Sequence, residues 1–325
     1  MSERKICVVG PTRSGKSHFL ALLYIHLLRR SGTGHLSAFL EDRTSPENLY
    51  PSASIVDNAV RLLAGQACVP TPFGRFSEAI LTVDFSSKRF GGWFTSKQHL
   101  VFPVFDSSGE TQQLLFQNLA VESDTGKLIF TESQQRMIDQ YAADRSVLLD
   151  EDGIINQLEG VLLNNNIYVL LFDIAEDHEI QQKLREGNGR LGPDDHQDLL
   201  HYKFSRFITN VVNVRKTRNP GDPPPQFAIV FTKHDRYLDH DLRPADKTYP
   251  QHDPYDIAGD RALLARTNIE ALTQVSEAKC LVSYTNVDPD TGLFNLIPDG
   301  SLRASVPDYP AEDTYDELIQ WLRNN

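Results

Sequence analysis

Residues 10–17 read Gly-Pro-Thr-Arg-Ser-Gly-Lys-Ser, and this octet decides which fold the rest of the chain is expected to form. It fits the pattern G-x-x-x-x-G-K-[ST], whose glycines let the backbone turn tightly enough for successive N–H groups to face a triphosphate. Lys16 brings a positive charge to the β- and γ-phosphates, and the Ser17 hydroxyl is placed to ligate Mg²⁺. The octet therefore predicts a nucleotide-phosphate site.

The sequence on either side of the octet supports this interpretation. Residues 5–9 form a short apolar run with strand character, and residues 16–30 have the apolar spacing of a helix. A helix that begins directly after the loop offers its unpaired N–H groups to the phosphates. The candidate nucleotide-binding residues of this segment are Gly10, Arg13, Ser14, Gly15, Lys16, Ser17 and His18.

Two strands are predicted after a stretch, 31–74, that is loop-like apart from a short helix over 54–64. Residues 78–85 alternate between apolar and polar side chains, and residues 98–105 form a second apolar run after a polar connection. This pattern is typical of an antiparallel pair. Because Pro103 lacks the N–H that a strand ladder needs, we expect a bulge there.

The second of these strands ends at Asp106, three residues before Gly109. A carboxylate at the end of a hydrophobic strand is where phosphate-loop proteins support Mg²⁺ through water. The backbone N–H of Gly109 is then placed to bind the γ-phosphate. The spacing therefore predicts a second part of the same nucleotide site.

The remainder of the chain alternates between strand and helix patterns. The strand candidates are 166–173, 226–231 and 279–282, and the helix candidates are 195–214, 260–277 and 313–323. The first of these strands is apolar throughout, as expected for a strand that is buried on both faces. The alternation implies a parallel sheet with helices on both faces.

Together, the motifs resemble those of the Ras-like, translation-factor-related class of phosphate-loop (P-loop) GTPases. Residues 10–17 match the phosphate loop of that class, and residues 106–109 match its Asp-x-x-Gly. Residues 232–235, Thr-Lys-His-Asp, match its [NT]-K-x-D after the fifth strand. The resemblance implies an α/β fold with a doubly wound, mostly parallel six-stranded sheet that has one antiparallel edge strand.

The resemblance also implies one GTPase domain over 1–325, with helical and loop insertions at about 32–77, 110–165 and 236–260. Loops on a rigid scaffold are where partners bind, so we expect protein effectors or complex subunits as partners. A freestanding GTPase with large insertions is similar to the bacterial GTPases of conflict and defence systems.

GTP or GDP is the nucleotide that the resemblance implies. The Asp235 carboxylate can accept hydrogen bonds from guanine N1–H and the 2-amino group, a donor pair that adenine lacks, and the Lys233 stem can pack over the base. Thr232 belongs to the same motif. Ser283 and Tyr284 resemble the short Ser-Ala-Lys loop of the class only in the serine, and Tyr284 is a candidate to donate its N–H to guanine O6.

The switch threonine of the class coordinates Mg²⁺ and contacts the γ-phosphate. Residues 69–73, Val-Pro-Thr-Pro-Phe, resemble the V-P-T-x-F segment of Rho-type members, which makes Thr71 the chosen candidate. Thr33 and Thr44 are the competing candidates. The expected ligands of Mg²⁺ are Ser17 and Thr71, with Asp106 acting through water.

Departures from the class predict slow hydrolysis. Glu110 occupies the position at which the class has Gln or His to orient the attacking water, and its carboxylate brings negative charge towards a phosphate. Thr12 fills a position that is often Gly, which leaves room for an activator's arginine. Arg13 either reaches the phosphates or points into solvent, and the second interpretation is favoured. The expected catalytic residues are Lys16, Glu110 and Thr71.

The composition limits the partners and the compartment. The 325 residues include 44 acidic and 32 basic ones, a net charge of −12, which argues against nucleic acid or an anionic membrane as a partner. The longest apolar run, 167–172, is too short to span a bilayer, and no cysteine lies near 321–325 to carry a prenyl anchor. The early strand leaves no room for a signal peptide, and three scattered cysteines are typical of reduced thiols. We therefore expect a cytoplasmic protein.

These observations predict a Mg²⁺-dependent GTP-binding protein with slow hydrolysis that acts as a switch for a protein partner. The alternative is a GTP- or GDP-bound structural subunit of a complex, with negligible turnover. A third interpretation, an ATP-using phosphate-loop enzyme, holds only if residues 232–235 match their motif by chance.

Overall fold

The computed structural model describes residues 5–11, 14–31, 36–42, 55–64, 66, 68–69, 76–89, 94–107, 112–143, 151–173, 200–232, 282–283 and 318–322. The strands are β1 (Ile6–Val9), β2 (Leu36–Asp42), β3 (Phe76–Arg89), β4 (Phe94–Ser107), β5 (Ala120–Val121), β6 (Leu128–Ile129), β7 (Ile167–Asp173), β8 (Gln226–Thr232) and β9 (Val282–Ser283). The helices are α1 (Lys16–Ser31), α2 (Ile55–Leu63), α3 (Glu132–Ala143), α4 (Glu151–Leu163) and α5 (Leu200–Arg218). A 3₁₀ turn at Leu114–Phe116 and a helical segment at 318–322 complete the described elements.

The main sheet is mixed and has the strand order β2-β3-β4-β1-β7-β8-β9. Neighbouring strands from β4 to β9 in this order pair in parallel, whereas β3 is antiparallel to both β2 and β4. Parallel strands end at the same edge of a sheet, and in α/β proteins ligands bind beyond that edge. The carboxyl ends of β1, β4, β7, β8 and β9 therefore define where a site is expected.

Two hydrophobic cores lie on opposite faces of this sheet, because successive residues of a strand face opposite sides. The odd-numbered residues of β7, from 167 to 171, pack with α1, α2 and 318–322. Its even-numbered residues, from 168 to 172, pack with α4, α5 and the 3₁₀ turn. Helices thus cover both faces of the sheet, which explains why β7 is apolar along its whole length.

The expected six strands with an antiparallel edge strand are not what the structure shows, because residues 36–42 form β2 where a loop is expected. β2 pairs with β3 along all of its residues, so antiparallel β3 is the second strand and not the edge. The run Leu-Ser-Ala-Phe-Leu-Glu-Asp does not alternate cleanly, since Phe39 interrupts it. Its strand conformation depends on the ladder that β3 supplies.

The bulge expected at Pro103 is absent. β3 and β4 pair in a continuous register, with Pro103 opposite Ile80. On the other side of β4, the ladder with β1 begins only at Val104. The missing N–H of Pro103 therefore removes no ladder bond to β1, and the strand accommodates the proline without a change of register.

Candidate functional site

The loop between β1 and α1 lies at the carboxyl edge of the sheet. Lys16, the first residue of α1, is buried, and its Nζ donates to the carbonyl oxygens of Gly10 at 2.8 Å and Pro11 at 3.2 Å. Hydrogen bonds from a charged donor are roughly twice as strong as neutral ones. The Lys16 ammonium is therefore fixed by the backbone carbonyl oxygens at the start of the loop.

Two glycines of the loop are required by its geometry. Gly15 has a φ of 90°, in the left-handed range that side chains disfavour. A Cβ on Gly10 would overlap the Ser14 hydroxyl and would lie 3.2 Å from the Cβ of Leu171 in β7. Position 10 thus has no room for a side chain, because the loop is packed directly against the sheet.

A hydrogen bond ties the loop to the end of β8. Thr232 Oγ1 donates to the carbonyl oxygen of Ser14 at 2.9 Å, and both residues are fully buried. The sequence predicts Thr232 as part of a base-recognition motif, whereas in the structure its hydroxyl donates to the loop between β1 and α1. The bond places the start of the Thr-Lys-His-Asp segment, residues 232–235, beside that loop.

Gln112 is a site residue that sequence reasoning misses. Its Oε1 accepts from the Gly10 N–H at 2.9 Å, its Nε2 donates to the Val8 carbonyl oxygen at 3.1 Å, and the side chain is fully buried. The amide thus pairs with the backbone at the end of β1 as a neighbouring strand would. Its only sequence signal is its place three residues after Gly109, and a lone glutamine fits no motif.

The segment before Thr71 reaches the first turn of α1. His18 Nδ1 lies 3.9 Å from Cys68 Sγ, and burial raises the pKa of that thiol to about 12 against a smaller lowering by Arg61. Asn58 of α2 fixes the next residue: its Oδ1 accepts from the Val69 N–H at 2.7 Å, and its Nδ2 donates to the Val69 carbonyl oxygen at 3.1 Å.

These contacts determine where two of the predicted residues lie. The imidazole of His18, a predicted nucleotide-binding residue, contacts the thiol of Cys68. Ser17, the second residue of α1, is half-buried. The chain therefore contacts the first turn of α1 at Cys68, three residues before Thr71.

The backbone positions of Asp106 and Ser283 agree with a site at this edge. Asp106 is the residue after Phe105, which makes the last pair between β4 and β1. Ser283 pairs with Thr232 in the parallel ladder of β8 and β9. The structure thus brings the ends of four predicted segments, the loop, Asp106, Thr232 and Ser283, to one edge of the sheet.

The other predicted site residues, Arg13, Thr71, Gly109, Glu110, Lys233, Asp235 and Tyr284, lie outside the described residues. The same holds for Thr12 and for the competing switch candidates Thr33 and Thr44. In the described part of the chain, no three His, Cys, Asp or Glu side chains group as metal ligands would. Of the expected Mg²⁺ ligands, only Ser17 has a described side chain.

Among the helices of the described ranges, none combines the length and the apolar character that crossing a bilayer requires. No model of a known protein family matches this chain, and no curated protein matches it either. The function must therefore be argued from the chemistry of the loop and its contacts.

Proposed function

We propose that this protein binds GTP and GDP with Mg²⁺, hydrolyses GTP slowly and acts as a nucleotide-controlled switch for a protein partner. The observation that carries the proposal is the fixed loop: the Lys16 ammonium donates to two backbone carbonyl oxygens, position 10 has no room for a side chain, and Gly15 has a positive φ. A loop at the start of a helix offers backbone N–H groups to a phosphate chain, and the Lys16 ammonium offers a positive charge that attracts the negative phosphates.

The bond between Thr232 and Ser14 supports guanine as the base. It fixes the residue that precedes Lys233 and Asp235 to the loop that would hold the phosphates. The proposed phosphate motif and the proposed base motif therefore meet at one hydrogen bond. One nucleotide that spans both motifs explains why a buried threonine hydroxyl makes this contact.

The Cys68 and Val69 contacts support Thr71 as the switch threonine. They hold Cys68 against His18 in the first turn of α1 and fix Val69, two residues before Thr71, to Asn58. When bound, Mg²⁺ supplies positive charge to the β- and γ-phosphates. In the proposal Ser17 and Thr71 ligate it, and Asp106 accepts a hydrogen bond from a water on it.

We further propose a Ras-like phosphate-loop fold with one additional outer strand. Without β2, the sheet would have six strands with antiparallel β3 at its edge. That is the arrangement that the sequence resemblance implies. On this view β2 belongs to the expected insertion at about 32–77.

The slow GTP hydrolysis that we propose rests on two departures from the sequence pattern of the class. Glu110 can accept a proton from water but repels a phosphate, and Thr12 obstructs an activator's arginine, a group worth about 10³–10⁵ in rate. The same departures favour the alternative, a GTP- or GDP-bound structural subunit with negligible turnover. Single-turnover hydrolysis separates the two.

The test begins with protein that has been stripped of nucleotide. We expect GTP and GDP to bind more tightly than ATP, and both to bind more tightly when Mg²⁺ is present. Bound GTP should be hydrolysed to GDP and phosphate at a slow but measurable rate. Lys16→Ala should weaken GTP binding by about tenfold or more, since hydrogen bonds to charged groups contribute about 1.5–3 kcal/mol. Lys127→Ala, an exposed lysine in the turn before β6, is the matched control.

The outcomes have distinct meanings. Equal affinity in the Lys16→Ala variant would reject the phosphate site itself. A preference for ATP would reject only the guanine assignment, and tight GTP binding without phosphate release would favour the structural subunit. Asp235→Asn should weaken GTP and favour xanthosine triphosphate, because an amide N–H₂ can donate to the 2-oxo group of xanthine.

A further inference from the structure

Asn58 is the polar member of the buried face of α2. The other residues of that face, Ile55, Ala59 and Leu62, pack in the core that contains α1, and Asn58 is as buried as they are. Asparagine is a weak helix former, and a buried amide is unfavourable unless it is hydrogen-bonded. The contacts of this side chain should therefore explain why it occupies the position.

Both ends of the Asn58 amide bind one residue, Val69. Its Oδ1 accepts from the Val69 N–H at 2.7 Å, and its Nδ2 donates to the Val69 carbonyl oxygen at 3.1 Å. The amide thus satisfies both backbone groups of a residue that lies 11 positions further along the chain. Loss of this one side chain would release both groups together.

The chain between α2 and Val69 makes two further contacts. The Gln66 N–H donates to the Arg61 carbonyl oxygen at 2.8 Å, which folds the chain back along the end of α2. The Cys68 sulfur lies 3.9 Å from His18 Nδ1 in the first turn of α1. The segment is therefore held against two helices up to Val69, and Asn58 makes the contact nearest to Thr71 among those of the described residues.

The covalent chain limits how far Thr71 can lie from this fixed point. Only Pro70 separates Val69 from Thr71. Two residues of extended chain span about 7 Å, so the Cα of Thr71 lies within about that distance of the Cα of Val69. The two hydrogen bonds of Asn58 thus restrict the space that is open to the proposed switch threonine.

We propose that Asn58 is a positioning residue for Thr71, and that it determines how strongly GTP is preferred over GDP. The inference rests on the proposed function, in which Thr71 contacts the γ-phosphate, a group that GDP lacks. Because Asn58 holds the segment in place before the nucleotide binds, GTP does not have to order it. Ordering even one residue on binding corresponds to a loss of about tenfold in affinity.

The test compares the unmodified chain with Asn58→Leu, which keeps the approximate shape of the side chain and removes both hydrogen bonds. GTP and GDP affinities are measured with Mg²⁺ on protein stripped of nucleotide. We expect GTP affinity to fall about tenfold and GDP affinity to stay unchanged. Without nucleotide, hydrogen exchange of the peptide that contains Val69 should be about tenfold faster or more, since its N–H has lost its acceptor.

Two control variants separate positioning from general stability. Val83→Ala removes methyl groups from the same core, and Leu63→Ala shortens an exposed side chain of α2. Both should leave the ratio of GTP to GDP affinity unchanged when it is measured well below the unfolding transition. Asn58→Ala, which favours the helix, replaces the leucine variant if thermal unfolding shows that leucine prevents folding.

Each outcome decides the inference. A lower ratio of GTP to GDP affinity, together with faster exchange at Val69, supports it. An unchanged ratio, equal losses of GTP and GDP affinity, or an equal fall of the ratio in Val83→Ala overturns it, because Asn58 would then only stabilise the fold. Absence of GTP binding in the unmodified chain rejects the proposed function and this inference with it, whereas tight GTP binding that is insensitive to Asn58 rejects the inference alone.

Discussion

The two halves of the sheet are built in different ways, and the candidate site lies on one of them. β3 and β4 are each 14 residues long, follow each other in the chain and pair along their full length. β1, β7 and β8 are 4, 7 and 7 residues long and come from distant parts of the chain. The hairpin has its own long ladder, whereas the parallel strands depend on two cores that several helices complete.

This difference explains why the candidate site depends on side-chain hydrogen bonds as well as on strand pairing. The short parallel strands end at the loop, and buried side chains from elsewhere complete the backbone hydrogen bonds there: Gln112 at the end of β1 and Thr232 at Ser14. We therefore expect substitutions around the loop to weaken both folding and nucleotide binding. Substitutions in the hairpin should weaken folding alone.

Gln112→Leu should have the largest effect. It leaves the Gly10 N–H and the Val8 carbonyl buried without their partner, and each such group costs about 1–3 kcal/mol. Urea unfolding should show a stability loss of about 2–6 kcal/mol, with GTP affinity at least about tenfold weaker. Gln113→Leu changes the neighbouring, half-buried amide and serves as control; equal losses in both variants would contradict the role of Gln112.

Gly10→Ala should come next, because its methyl group would overlap the Ser14 hydroxyl and press on Leu171. Overpacking of this kind costs about 1–3 kcal/mol, and the displaced loop should bind GTP poorly. Gly160→Ala is the control of opposite sign: the nearest atom to its Cβ is Asn164 Nδ2 at 3.5 Å, and in a helix alanine is favoured by about 1 kcal/mol. Thermal unfolding should therefore move in opposite directions for the two variants.

Thr232→Val should have a smaller effect on the same loop. The substitution keeps the shape of the side chain but leaves the Ser14 carbonyl without its donor, at a cost of about 1–3 kcal/mol. Thr232→Ser retains the hydroxyl and should recover most of the GTP affinity. If valine and serine variants bind GTP equally well, the bond between β8 and the loop has no part in the site.

Val83→Ala tests whether a substitution in the hairpin weakens folding without weakening GTP binding. Val83 of β3 is buried in the core that contains α1, so truncation should lower the free energy of unfolding by about 1–3 kcal/mol. Its GTP affinity, measured well below the unfolding transition, should equal that of the unmodified chain. A weaker affinity would mean that the hairpin and the site are not separable.

The parts of the fold that the sequence predicts well are those with strong local patterns. β7 is predicted at 166–173 and found at Ile167–Asp173, and α1 is predicted at 16–30 and found at Lys16–Ser31. The helix predicted at 195–214 is found as α5, whose described part, Leu200–Arg218, ends four residues beyond the predicted end. The last turn of α5 is basic and polar, and basic residues are favoured at a helix C-terminus. Because this turn continues no apolar spacing, the sequence pattern ends before the helix does.

The parts that the sequence does not predict depend on distant partners. Phe39 interrupts the alternation of β2, and only the ladder with β3 makes that segment a strand. Gln112 is an ordinary polar residue until folding brings it to β1. The loop between β1 and α1 is thus marked in the sequence by its motif, whereas the contacts that hold it in place belong to no local pattern.

The position of β1 has a consequence for the biosynthesis of the protein. Of the described strands β1 is made first, yet its neighbours begin at residues 94 and 167, and the bond at Ser14 needs Thr232. At about 5–20 residues per second, the apolar strand waits roughly 10–45 s on the ribosome before that bond can form. A nascent chain that does not yet include Thr232 lacks the bond that fixes the loop, so the proposed nucleotide should bind only late in translation.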